Sequence, residues 1–216
     1  MEGLRNAVDV TVLAGLGTVT IMVFVSFLWR YRAPAGRVTG RGAWFFSIPG
    51  WARTLLILAA IPLTVYVTRL LWIPLPLSAL SSGLDGGLRL AGLVVNLAGA
   101  ALIVWGRLAL GRAWTVTTSL GVQLHEDHRL VQHGPFALVR HPMYLGFWLL
   151  LAGALLIYRT WALAAYLLMA LASFSRRARR EEQALAEAFG DEWRTYADRV
   201  GRWVPNVPKG GFGHGW

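Results

Sequence analysis

The chain has 216 residues, of which 56% are hydrophobic and only 15% charged, with a formal net charge of +10 and a mean hydropathy of +0.49. A soluble domain carries roughly a quarter charged residues, so this balance points to lipid as the solvent, and the length leaves no room for a separate soluble catalytic domain. The absence of cysteine excludes disulfides, thiolate metal ligands and a cysteine nucleophile.

Five apolar stretches follow one another along the chain. Val8 to Trp29 is long for the hydrophobic region of a signal peptide and has Glu2 and Asp9 where a basic flank would stand, so a retained first span is expected. Thr54 to Trp72 is the second, bracketed by Trp51 and Trp72 at roughly one hydrocarbon thickness, with Pro62 expected to bend it. Pro74 to Gly87 is rich in Pro, Ser and Gly and reads as a loop, and Leu88 to Leu110 is the third span. Met143 to Tyr158 and Trp161 to Phe174 are separated only by Arg159 and Thr160. One helix through both would overshoot the bilayer at roughly 48 Å, so a tight hairpin with its turn at Arg159 is expected. Gly92, Gly99 and Gly106 share one face of the third span, and Gly146 and Gly153 repeat the seven-residue spacing on the fourth, which marks close helix packing. Asn96 reads as hydrogen-bonding glue between helices.

The basic residues are arginines apart from Lys209. Arg30, Arg32, Arg37, Arg41 and Arg53 lie in the first connection, Arg112, Arg129 and Arg140 in the third, and Arg176, Arg177, Arg179 and Arg180 after the fifth span, against Arg5, Arg89 and Arg159 on the other side. The positive-inside rule then puts the N-terminus outside and the C-terminus in the cytoplasm, as an odd number of spans requires. The arginines border apolar runs rather than forming a soluble basic face, so membrane lipids are expected partners and nucleic acid is not. The expected fold is an all-α integral membrane protein of about five transmembrane helices, a single domain over 1–216. It divides into three N-terminal helices (1–110), a region with the helical hairpin (111–205) that continues into a cytoplasmic helical segment, and a flexible tail (206–216).

Polar chemistry concentrates in two places. The third connection, Gly111 to Arg140, holds His125, His128 and His133 and runs into His141. Its last part, HGPFALVRHPMYLG from His133 to Gly146, places a Gly-Pro turn before Arg140 and His141. Pro142 disfavours a helical His141 and suits the first position of the next helix, so this pair lies at a helix N-terminus. Arg-His at such a place suits either a bound anion or lipid headgroups. No metal site is expected, because His125, His128, His133 and Asp127 match no zinc spacing. The second place is Ser175 to Phe189, a helical segment stopped at Gly190, in which Arg176, Arg177, Arg179 and Arg180 precede Glu181 and Glu182. On spacing alone this reads as a solvated helix laced by pairs such as Arg177 with Glu181, or as a carboxylate pair for ribose hydroxyls or a cationic ligand.

RHPMYLG, followed some 40 residues later by EEQALAEAFGDEWRTYADRVGRWVP, resembles the isoprenylcysteine carboxyl methyltransferase family and the related phospholipid methyltransferases; LGRAWTV and HRLVQHGPFALV resemble the family's approach to the first motif. The likeness runs from about Leu110 to Pro205. It implies S-adenosylmethionine as cofactor, held by His133, Gly134, Pro135, Arg140, His141, Tyr144, Glu181 and Glu182, with Tyr196 and Arg199 closing the pocket. It further implies catalytic roles for Arg140, Glu181 and Arg199. Phe136 and Trp193 stand where the family commonly has tyrosine, keeping a ring and losing a hydroxyl.

The implied reaction is methyl transfer to a lipophilic small molecule or lipidated acceptor. A carboxylate acceptor needs an arginine such as Arg140, Arg199 or Arg202 to position it; an amine acceptor needs a base, for which Glu181, Glu182 and His141 are candidates. Two other readings are an NADPH-dependent reductase of the sterol-reductase type, which adjacent carboxylates oppose by repelling the cofactor phosphate, and a non-enzymatic membrane adaptor.

Overall fold

A computed structural model describes residues 3, 6–12, 49–76, 81–111 and 130–206. Among them the regular secondary structure is helical: α1 (Gly50–Leu70), α2 (Ser82–Leu110), a 3₁₀ turn (Gly134–Ala137), α3 (Pro142–Tyr158) and α4 (Trp161–Arg199). Residues 6–12 are largely helical as well, while the rest of the expected first span, the expected loop residues His125 and His128, and the tail beyond 206 lie outside the described residues.

The central packing is α2 against α3. The glycines face each other across this seam: a Cβ on Gly99 would sit 2.5 Å from the Leu150 nitrogen and 2.6 Å from the Gly146 carbonyl, and one on Gly153 would sit 2.4 Å from the Asn96 nitrogen. Backbone therefore meets backbone, and only hydrogen atoms fit between. Asn96, fully buried, donates from Nδ2 to the Leu150 carbonyl at 2.8 Å, the interhelical bond expected of it. Ile103 and Leu150 fill the next layer with Met143 and Phe147.

Helix α2 begins at Ser82, earlier than the expected loop to Gly87 allows. Asp85 supplies the reason: it lies in the first turn, where the helix dipole favours a carboxylate, and it accepts from Arg89 Nε at 2.9 Å one turn on. Helix α1 continues through Pro62. Gly83–Leu110 is the one helix among the described residues that is long and apolar enough to cross a membrane, and its outer face leaves Leu84, Leu90, Val94, Trp105 and Leu108 exposed.

The hairpin turns where expected. Arg159 adopts the left-handed conformation (φ 46°, ψ 57°), which costs a residue with a Cβ and is held here by several bonds. Its nitrogen donates to the Leu155 carbonyl, its guanidinium donates to the Leu156 carbonyl and pairs with Asp85, and its carbonyl accepts from Leu75. Thr160 caps α4 by accepting from the Leu163 nitrogen. The same end receives the chain after α1 through an isolated bridge of Pro74 to Thr160 and the N-terminal segment through Asp9, which accepts from the Tyr158 hydroxyl at 3.0 Å.

The expected fifth span and the expected segment from Ser175 form one helix, α4, of 39 residues broken by non-helical backbone at Gly190 (φ 52°). From Trp161 to that break it is roughly 43 Å long, more than the ~30 Å hydrocarbon layer, so its arginine- and glutamate-bearing half projects beyond the apolar part of the bundle.

Gly153→Ala is expected to destabilise the detergent-solubilised protein by at least about 1–3 kcal/mol, since the new methyl meets backbone on both sides. Gly83→Ala, with nothing within 4 Å of the added carbon, is expected to melt at or slightly above the parent temperature. Thermal melts of the two variants check the seam.

Candidate active site

At the end of the bundle opposite the Arg159 turn, the start of α3, the middle of α4 and the chain after α4 meet around Glu182. Pro142 opens α3 and leaves His141 outside the helical region ahead of it (φ −125°, ψ 60°), as a residue before proline is expected to be. His141 is buried, and its Nε2 lies 3.1 Å from Glu182 Oε1. Arg202 donates from Nε to the same oxygen at 2.9 Å and from its terminal nitrogen to Oε2. Arg140 Nε stands 3.2 Å from Glu182 Oε1 as an ion pair, while its terminal nitrogen donates to the Ala197 carbonyl at 2.9 Å. Burial alone would raise the Glu182 carboxyl, but hydrogen bonds from His141 and Arg202 and the neighbouring Arg140 charge outweigh it and hold the group at about 2. Its partner in turn raises Arg202 above the usual arginine value.

Glu181 faces the aromatic side. The Tyr144 hydroxyl donates to Glu181 Oε1 at 2.5 Å, and Arg177 Nε and His141 Nδ1 each stand 3.7 Å from one of its oxygens. Tyr144 is sandwiched between Phe174, stacked at 4.9 Å between centroids, and His141, stacked at 5.6 Å. The Arg177 guanidinium carbon stands 5.9 Å from the Tyr144 ring centroid. Trp203 tilts against His141 at 5.4 Å and against Trp148 at 4.2 Å, extending the aromatic surface one turn further along α3.

The chain after α4 is tied down as a strap. The Arg140 nitrogen donates to the Gly201 carbonyl at 2.9 Å, and Val139 pairs with Gly201 in an isolated parallel bridge. The Tyr196 hydroxyl donates to the Phe136 carbonyl at 2.8 Å, and burial pushes its pKa up to about 12, so it remains a donor at neutral pH.

The residues singled out by the sequence divide accordingly. Arg140, His141, Tyr144, Glu181 and Glu182 form one contiguous cluster. Tyr196 is buried beside Trp193 and joins the strap to the 3₁₀ turn. Gly134 (φ 62°) and the buried Pro135 sit in that turn against the end of α2, where a Cβ on Gly134 would meet Ala109 and Trp105, and His133 is exposed at its start. Arg199 stands apart: exposed, it donates to Gln132 Oε1 at 3.0 Å, and Arg202 occupies the place beside Glu182. Trp193 lies under Arg140, with the guanidinium 5.9 Å from its ring centroid, so the missing hydroxyl there would have been in a buried packing layer. Sequence reading passed over Trp148, Phe174 and Trp203. Aromatic side chains beside a membrane span carry no signal that separates a site wall from an interfacial anchor.

The sequence model described as the isoprenylcysteine carboxyl methyltransferase (ICMT) family matches residues 91–187. A probable protein-S-isoprenylcysteine O-methyltransferase of Oryza sativa subsp. indica is 30% identical over 117 residues, covering 54% of this chain and 60% of the relative. The protein-S-isoprenylcysteine O-methyltransferase of Saccharomyces cerevisiae is 38% identical over 82 residues, covering 38% of this chain and 34% of the relative. The match thus spans less than two thirds of these relatives' length. Among solved structures, that of the eukaryotic intramembrane Ras methyltransferase ICMT superposes with a TM-score of 0.54 over 69% of this chain and 53% of that chain, at 23% identity, a likeness of fold.

Glu182→Gln is expected to lower stability by on the order of 3 kcal/mol near neutral pH, because it removes the counter-charge of Arg140 and Arg202. A carboxyl held at about 2 rather than 4.5 stabilises the fold above pH 4.5 and loses that contribution as pH falls toward 2. The gap between the melting temperatures of parent and variant should therefore narrow as pH is lowered from 5. A gap that stays constant over that range would mean the carboxylate is not so held.

Residues 91–187, which carry both RHPMYLG and the paired glutamates, match the sequence model of the isoprenylcysteine carboxyl methyltransferase family, and the helices share the fold of the solved eukaryotic relative.

Proposed function

We propose that this chain is a membrane-embedded, S-adenosylmethionine-dependent methyltransferase acting on the carboxylate of a lipophilic acceptor. The observation that carries the reading is the convergence of His141, Tyr144, Glu181 and Glu182, from two sequence motifs some 40 residues apart, into one cluster at one end of the bundle.

The residues present fit such a cofactor. S-adenosylmethionine bears two cationic groups, a carboxylate, ribose hydroxyls and a purine. Carboxylates suit its hydroxyls and its ammonium, aromatic faces suit a cation and a purine, and arginines suit its carboxylate. Glu181, the stacked rings of His141, Tyr144 and Phe174, and Arg177 supply these classes within about two turns of α4 and the start of α3. When bound, the cofactor supplies an electrophilic methyl group on a sulfonium. Glu182 acts at one remove: by fixing His141, Arg140 and Arg202 it sets the orientation of the groups that meet ligand. In this reading the family-derived cofactor positions His133, Gly134 and Pro135 contribute by holding the turn against α2, and Tyr196 by fixing the strap. Arg140 belongs to the Glu182 cluster, whereas Arg199 bonds to Gln132 away from it.

The acceptor follows from the acid–base inventory. An amine must lose a proton, yet Glu182, held at about 2, is a poor base, His141 Nε2 is committed to that carboxylate, and Glu181 already accepts from the Tyr144 hydroxyl. A carboxylate arrives ionised and needs only alignment and exclusion of water. The related rice and yeast proteins are named as O-methyltransferases of isoprenylcysteine, which supports the same class. An NADPH-dependent reductase is the weaker reading, because Glu181 and Glu182 add negative charge where the cofactor phosphate would lie.

The apolar outer face of α2 and the overshoot of α4 support membrane embedding, with about five spans once the N-terminal stretch is included. The N-terminal segment 6–12 meets the Arg159 end, and the proposed site with the last helix lies at the other. Arginine distribution makes the site end cytoplasmic, so the cofactor enters from the cytoplasm and the acceptor's tail from the bilayer.

Binding of S-adenosylhomocysteine to the detergent-solubilised protein is expected, with His141→Ala and Glu181→Ala each abolishing it. Incubation with methyl-tritiated S-adenosylmethionine and an S-prenylcysteine is expected to give a labelled, base-labile ester and no NADPH oxidation. Wild-type-like binding in both variants would refute the site.

A further inference from the structure

Among the described residues, three shielded side-chain nitrogens have no hydrogen-bond partner: Arg140 Nε, Arg177 Nε and Trp148 Nε1. All three lie on the candidate site. The two arginines have a carboxylate oxygen at ion-pair distance, Glu182 at 3.2 Å and Glu181 at 3.7 Å. Trp148 has no such counterpart. An indole N–H cut off from solvent ordinarily finds an acceptor, because leaving it unpaired forfeits its hydration without return.

The position of this donor is informative. Trp148 is four residues beyond Tyr144 on α3, so the two share one helix face. Its ring packs on Trp203, which packs on His141. It therefore sits one turn from the Tyr144–Glu181 pair toward the apolar length of the bundle, the direction from which a lipid-tailed acceptor approaches. The Trp203 contact restrains the ring, so a bond to its N–H costs little further ordering of the side chain.

We infer that Trp148 is a specificity-determining residue for the acceptor, its indole N–H donating to an oxygen of the acceptor's carboxylate. The inference rests on the methyltransferase reading of the site and deepens it. Arg140 supplies charge to that carboxylate, and Trp148 supplies direction. The bond distinguishes the free acid from its methyl ester, whose oxygens are weaker acceptors, so it favours binding of the acid over retention of the product.

The test compares binding of a tritiated N-acetyl-S-prenylcysteine, as free acid and as methyl ester, to the detergent-solubilised parent and to Trp148→Phe, which keeps a ring and removes the N–H. The expected result is an affinity for the acid about tenfold or more weaker, with ester affinity, S-adenosylhomocysteine binding and melting temperature unchanged. Unchanged acid affinity overturns the inference. So does equal weakening of acid and ester, which would mean the ring acts by shape, and so does weakened S-adenosylhomocysteine binding, which would give the N–H to the cofactor. Should Trp148→Phe melt early, the ¹⁵N-indole spectrum of the parent decides: one indole N–H resonance moves downfield with acid and not with ester, and no such movement overturns the inference. A parent that binds no S-adenosylhomocysteine would strike the methyltransferase reading instead, while the comparison of acid with ester still decides the role of Trp148.

Discussion

A single carboxylate organises the functional end of this protein. Glu182 is almost wholly buried, and it is tolerable there because three basic side chains from two other segments close on its two oxygens: Arg140 and His141 from the entry to α3, and Arg202 from the chain after α4. A buried charge so paired contributes little net stability against an apolar substitute of the same shape, but breaking it is expensive. Its consequence is geometric. Three segments distant in sequence are required to meet at one point, and the groups that face outward from that point, Tyr144, Glu181 and the His141 ring, are fixed relative to each other.

Two features of the helices make the meeting possible. The glycine seam lets α2 and α3 approach until backbone touches backbone, which fixes the height of the α3 N-terminus relative to the apolar bundle. The hairpin at Arg159 then returns the chain alongside, and because α4 is longer than α3 its carboxylates reach past the apolar layer to the level of His141. A span ending at Phe174 without the continuous helix beyond it would leave Glu181 and Glu182 on a loose tail. Continuity of α4 from apolar to polar residues is thus what couples the apolar bundle to the polar cluster.

Much of this was legible in the sequence, for identifiable reasons. The hairpin, the glycine packing and the His-Pro start of α3 are local signals with direct conformational causes, and each stands where it was expected. The convergence of Arg140, His141 and Tyr144 with the paired glutamates was legible only through resemblance to a family, since spacing alone fitted a solvated, salt-bridged helix equally well. What escaped was long-range. Arg199 and Arg202 differ by three positions in a basic segment, and nothing local says that the second, not the first, turns inward onto Glu182. The aromatic wall of Trp148, Phe174 and Trp203 was hidden because tryptophan at a membrane boundary is ordinary. The early start of α2 was hidden because Gly86 and Gly87 outweighed Ser81 and Asp85 in a reading by composition.

The proposed reaction asks little of the chain: align a reactive donor with an anionic acceptor, keep water out and offer no misplaced base. A carboxylate locked by three partners, a histidine locked to that carboxylate and a set of stacked rings answer that description better than they answer proton abstraction or hydride transfer. The most direct measurement is an experimental structure of the protein with S-adenosylhomocysteine. The ligand is expected against Tyr144, Glu181 and the His141 ring, with Glu182 still enclosed by Arg140, His141 and Arg202. Ligand bound at the Asp85–Arg159 end, or Glu182 turned out to solvent with Arg202 elsewhere, would contradict the account.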